Sequence, residues 1–172
     1  MLTGFQFRAA LVIGKITAKE LSQNIDLHEV SLLRLKKNTS NLEYLNCFAR
    51  NMLLLQRFFE DRGIIFPDKN IIALNTAQRL NDVSRFHLVT ARVAAGLTQN
   101  QLSQILRVSY GTISLLEKLD NLDPIRSVKL CNSTIVKFFE AVGIIFKEDY
   151  SVILKRDPKE FMKKTKMFVD TK

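Results

Sequence analysis

The chain is poor in the residues that build loops, staples and metal sites: its 172 residues include only 6 glycines, 3 prolines, 2 cysteines and 2 histidines. So little glycine and proline argues against a loop-rich chain and for helices joined by short turns. Cys47 and Cys131 lie far apart without C-x-x-C spacing, and His28 and His87 complete no ligand set, so no metal site is expected and the thiols read as reduced and buried. No apolar run approaches the ~18 residues of a membrane span. The apolar stretch at residues 9–13 is too short, and follows too little positive charge, to be a secretory signal. A phosphate-cradling glycine loop and a nucleophile placed with a histidine base are also missing, so an enzyme is not expected, nor any cofactor. These absences point to a soluble, cytoplasmic protein.

What is present is enough apolar sequence to form a core and a surplus of positive charge. Hydrophobic residues make up 47% and charged residues 25%, which places the chain among globular proteins. Lysine and arginine number 26 against 17 acidic residues, a net charge of +9 that favours a polyanionic partner. The surplus is spread along the chain, not gathered in one block. The length suits one domain or two small helical units.

An internal repeat decides for two units. FFEDRGIIF at 58–66 recurs as FFEAVGIIF at 138–146, offset by 80. At an offset of 81, Phe5 pairs with Phe86, Thr17 with Thr98, and Leu21-Ser22-Gln23 with Leu102-Ser103-Gln104. Buried-type positions correspond as well, such as Leu32 with Ile113. The copies span 1–74 and 81–154, with a linker at 75–80 and a basic tail at 155–172. In the second copy, apolar spacing predicts a helix over 85–95 stopped by Gly96, a second capped by Thr98 and a third, 110–118, capped by Ser109. Pro124 suits the first turn of a fourth helix, and Asn132 or Ser133 opens a fifth. In the first copy, Thr17 and Glu20 form a capping box. The apolar runs after each FFE segment, 64–66 with 71–74 and 144–146 with 151–154, predict short hairpins. The fold class expected is mainly α: two tandem five-helix domains, each ending in a β-hairpin. A lone hairpin is marginal in water, so the two hairpins are expected to pair and hold the copies as an internal pseudo-dimer.

The segment 97–117, LTQNQLSQILRVSYGTISLLE, carries the clearest functional pattern: two short helices about a tight turn, the second polar on its outer side. It resembles the helix-turn-helix of the Cro/cI (Xre-type) transcriptional regulators, through Thr98-Gln99, Leu102, Val108-Ser109, Ile113-Ser114 and Glu117. Arg107 replaces the turn glycine, which asks a non-glycine residue to take positive φ or the turn to differ. The resemblance implies lambda-repressor-like domains and a sequence-specific DNA-binding regulator whose third helix enters the major groove of double-stranded DNA. It assigns Gln99 to a phosphate contact and Ser109, Tyr110, Gly111, Thr112, Ser114, Leu115 and Lys118 to the DNA-facing surface. None of these has the bidentate reach of arginine to guanine, so groove shape is expected to contribute to readout.

The first copy, ITAKELSQNIDLHEVSLLRLKK at 16–37, is degenerate. Asp26 falls in the turn and Glu29 stands where Tyr110 does, an acidic residue that repels phosphate unless it reads a cytosine amino group. Arg34, Lys36 and Lys37 form a basic end suited to a DNA backbone; the other reading is a copy that only completes the fold. His28 reads as a cap or surface residue, and Leu32, Leu33 and Leu35 as core or interface. In the tail, lysines flank Phe161, Met162, Met167 and Phe168 in the manner of a basic amphipathic helix. The competing function is a protein-interaction module of the same fold, antitoxin-like or accessory, with a second copy of the chain or another protein as partner. Exposed Leu115 and acidic Glu29 speak for that alternative.

Overall fold

In a computed structural model of the chain, residues 1–127 and 130–164 are described. The chain divides into two compact units, Met1–Ala77 and a second that begins at Gln78. The described residues form nine helices and four strands, so the expected mainly α class holds in part, with a β component beside the helices. None of these helices is long and apolar enough to cross a membrane.

The first unit runs α1 (Gly4–Ile13), α2 (Ala18–Asn24), α3 (Glu29–Asn38) and α4 (Ala49–Glu60), then β1 (Ile64–Asp68) and β2 (Ile71–Leu74). The second repeats the order as α5 (Arg85–Ala95), α6 (Gln99–Ile105), α7 (Tyr110–Leu116), α8 (Asn132–Ala141), β3 (Ile144–Lys147) and β4 (Ser151–Leu154), and adds α9 (Pro158–Lys164). Each strand pair is antiparallel, with Ile64 opposite Leu74 in one and Ile144 opposite Leu154 in the other.

Four helices, not five, precede each hairpin. Pro124 does not open a helix: it forms a β-bridge with Ser84, and the Ile125 N–H donates to the Val83 carbonyl at 2.7 Å. The reason lies in the first helix, whose opening N–H groups have no partner within the helix. The extended segment supplies one, since Arg85 and Phe86 donate to the carbonyls of Asp123 and Asn121. The first unit uses the same device, with a Thr3–Tyr44 bridge and N–H groups of Gly4 and Phe5 donating to Glu43 and Asn41. In the tail, α9 packs on α5, with the Lys159 side chain against Gly96 and Met162 buried. Lys166, Met167 and Phe168 lie outside the described residues. The cysteines correct another expectation: Cys47 is half-buried and Cys131 is exposed.

The repeated FFE-x-x-GIIF is accounted for residue by residue. Phe59 and Phe139 are fully buried, each in contact with the phenylalanine of its own hairpin, Phe66 at 6.3 Å and Phe146 at 5.7 Å between ring centroids. Gly63 and Gly143 take φ of +76° and +90°, the left-handed turn that carries the chain from helix into strand. Their carbonyls accept the N–H groups of Asn75 and Lys155, both at 2.8 Å, which closes each hairpin. The two isoleucines then begin β1 and β3.

A capping box starts the first helix of each unit, and its third residue also reaches the hairpin. Gln6 caps with Thr3 and donates through Nε2 to the carbonyls of Asp68 and Ile71, at 2.6 and 2.7 Å. His87 caps with Ser84: its Nδ1 accepts from the Ser84 N–H at 3.1 Å, while Nε2 lies 3.1 Å from the Lys147 carbonyl. Both contacts are satisfied by one neutral tautomer, with the proton on Nε2. Burial pushes the His87 pKa down to about 4, against the weaker opposing pull of the Lys147 carbonyl and Asp149.

His87 therefore makes stability depend on pH. The unfolded chain binds its proton near pH 6.5 and the folded chain only near 4, so stability should fall as pH drops through that window, by roughly 3 kcal/mol in all. His87→Gln, which installs the residue used at the equivalent position of the first unit, should fold and lose that part of the slope. Urea midpoints of both proteins between pH 7 and 4 check this; parallel curves would contradict it.

Candidate nucleic-acid interface

The helix pair of the second unit is set by caps at both starts and an apolar seam between. The Thr98 hydroxyl accepts the Gln101 N–H at 3.1 Å, and the Gln101 side chain accepts the Thr98 N–H in return. Ser109 caps α7 by accepting the Thr112 N–H at 3.2 Å. Leu102, Leu106, Ile113 and Leu116 are buried between. In the turn Arg107 itself takes the left-handed conformation, with φ of +54°. That conformation costs a non-glycine residue roughly 1–2 kcal/mol. The Val108 N–H donating to Ser103 helps hold it.

This packing leaves a defined outer face on α7. Tyr110 is 54% and Leu115 66% exposed. Gly111 and Ser109 are exposed beside them, and Thr112 and Ser114 are half-buried at the edge. Lys118 is exposed too, but α7 ends at Leu116, so this lysine follows the helix instead of belonging to it.

Gln99 is placed differently from a free phosphate ligand. Its Nε2 donates to Glu117 Oε2 at 2.8 Å, within a small polar network under the helix pair. Glu117, 8% exposed, receives Arg92 through two nitrogens, Nη2 to Oε2 at 2.7 Å, and Arg92 also donates to the Leu97 carbonyl. Arg85 donates from Nε to the Glu117 carbonyl at 2.7 Å and from Nη1 to Asn121. Burial pushes the Arg85 guanidinium down from its ordinary range, opposed by Glu117 and Asp120. One carboxylate thus ties the ends of α5, α6 and α7 together. Of this network, sequence reading found only Gln99 and Glu117; the missed signal was a pair of arginines, 85 and 92, seven residues apart on an otherwise apolar helix.

The first unit keeps the shape and not the network. Leu11, Ala18 and Lys36 stand at the positions of Arg92, Gln99 and Glu117. Arg8 takes the part of Arg85 from one turn further along its helix, donating to the Thr39 and Lys36 carbonyls and to Asn41. His28 occupies the N-cap of α3 without a side-chain cap bond. Arg34, Lys36 and Lys37 are exposed on its second half, as is Leu33, while Leu32 is buried.

Among the described residues no group of three or more His, Cys, Asp or Glu is placed to hold a metal ion. Compared with protein-family profiles, with curated proteins and with solved structures, the chain has no match.

The network predicts an asymmetry between breaking it and replacing it. Glu117→Ala leaves Arg92, whose side chain is only 13% exposed, without its carboxylate and should cost about 3 kcal/mol in urea unfolding. The double variant Arg92→Leu with Glu117→Met, apolar as the first unit is at Leu11, should recover most of that loss. Equal destabilisation by the single and double variants would contradict the assignment.

Proposed function

We propose that the chain is a sequence-specific DNA-binding transcriptional regulator of the Cro/cI type, acting in the cytoplasm, with α7 as its groove-reading helix. The observation that carries the proposal is the α6–α7 pair, whose short, mostly polar outer face is held by capping and by the Arg92–Glu117–Gln99 network. A rigid platform of this kind suits side chains that must meet base edges in register. Tyr110 and Ser114 supply hydroxyl groups for bases or phosphates. Leu115 is suited to a thymine methyl, and Gly111 permits close approach of the backbone. Gln99 acts chiefly by positioning α6 through Glu117, with its amide at the edge of the contact, and Lys118 supplies charge. The net charge of +9 favours the same partner.

The two hairpins, in this proposal, pair edge to edge so that one chain carries both halves of what is elsewhere a symmetric dimer. Neither hairpin is long enough to be stable alone. The target would then be one-sided, because Glu29-Val30 and Tyr110-Gly111 offer different chemistry. The second reading, a protein-interaction module of the same fold, is favoured by the 66% exposure of Leu115.

Two measurements test the DNA reading. Tyr110→Ala with Ser114→Ala should reduce discrimination between a selected duplex and a random one, at about 1–3 kcal/mol per lost base contact, while leaving nonspecific affinity nearly unchanged. Equal loss on both duplexes would contradict it. Log affinity plotted against log salt should fall with a slope of about −0.9 per phosphate contacted; a flat response would favour the protein-partner reading.

A further inference from the structure

The outer face of α3 is chemically unlike that of α7, although the two helices stand at the same position of the repeat. Val30, Leu33, Arg34 and Lys37 follow the i, i+3, i+4, i+7 spacing that sets side chains on one face of a helix. Val30 is 59% and Leu33 47% exposed, and Arg34 and Lys37 are exposed as well. The corresponding residues in the second unit are Gly111, Ser114 and Leu115 on α7 and Lys118 just after it. Where α7 has two small residues, one of them a hydroxyl, α3 has two apolar side chains.

That difference tells against a DNA groove. The first turn and a half of α3 exposes Glu29, Val30, Ser31 and Leu33, a carboxylate, two hydrocarbons and a single hydroxyl, where α7 carries the three hydroxyls of Tyr110, Thr112 and Ser114. Glu29 repels the phosphates that Arg34 and Lys37 would attract. The buried stripe of α3, through Leu32, is spent on the core, while Val30 and Leu33 keep about half of their surface in solvent. An apolar pair bordered by two cations at one end and by Glu29 at the other suits an amphipathic helix whose apolar stripe meets Val30 and Leu33 and whose carboxylates lie at the Arg34–Lys37 end, away from Glu29.

We infer that the face of α3 formed by Val30, Leu33, Arg34 and Lys37 docks an acidic amphipathic helix of a partner protein. The two units then divide the work, one meeting a protein and the other free to meet a different ligand. The inference stands on the first unit alone and does not depend on what α7 reads.

The test is selection from a displayed library of random 16-residue peptides with the full chain as bait, followed by binding of the synthetic winner. Enriched peptides should carry apolar residues at helical spacing flanked by Asp or Glu. Val30→Ser with Leu33→Ser, both at exposed positions, should weaken the winner at least about tenfold, as loss of a central apolar anchor does. Arg34→Glu with Lys37→Glu should do the same. The melting temperature and affinity for a fixed 20-base-pair duplex should be unchanged in the serine variant, which separates this inference from the DNA reading. It would be overturned by failure to enrich any peptide, by winners that bind the variants equally well, or by a serine variant that keeps the peptide and loses the duplex.

Discussion

In each unit the helices depend on one buried polar contact, the side chain at the third position of the first helix that caps that helix and bonds the hairpin. Gln6 does this with its amide and His87 with its imidazole, both nearly inaccessible to solvent. A buried donor without its acceptor is expensive, so the contact leaves little freedom in how first helix and hairpin meet. Phe59 or Phe139 packs in the same unit, on the helix that leads into that hairpin. The third helix is then held through the arginine of the first, Arg8 in one unit and Arg85 in the other, by its terminal carbonyls. The recognition-type helix is positioned from beneath, which frees its outer face to vary.

The two units show what that freedom permits. In both, the arginine that donates to the carbonyls at the end of the third helix also donates to an asparagine, although the arginines come from different turns of the first helix. Only the second adds a buried Arg92–Glu117 pair and the Gln99 contact. The first unit has Leu11 and Ala18 at the positions of Arg92 and Gln99, and a buried ion pair is a poor source of stability compared with apolar packing. Its value lies in fixing orientation, and it is found in the unit whose third helix has the polar outer face. The first unit, with Lys36 in place of Glu117, keeps the scaffold and carries another surface.

Much of the fold was legible because the signals were local. Thr17, Thr98 and Ser109 cap where their hydroxyls and spacing said, Gly96 stops α5 at φ of +69°, and the FFE-x-x-GIIF repeats mark both hairpins. The misreading at Pro124 arose because proline suits an extended bridge as well as a helix start. The choice was made by N–H groups of α5 some forty residues away in sequence. The same limit hid the polar network: nothing near Arg92 announces Glu117. The outer residues of α7 were legible as exposed, since Ile113 and Leu116 fix the inner face, but Gln99 was not legible as held, because its partner lies in another helix.

The central claim is that α7 reads DNA sequence, and selection of bound duplexes from a random-sequence pool tests it most directly. The account predicts enrichment of one asymmetric element whose recovery is lost when Tyr110 and Ser114 are replaced by alanine. A pool that stays random through repeated rounds, or an enriched element recovered equally by that variant, would contradict it.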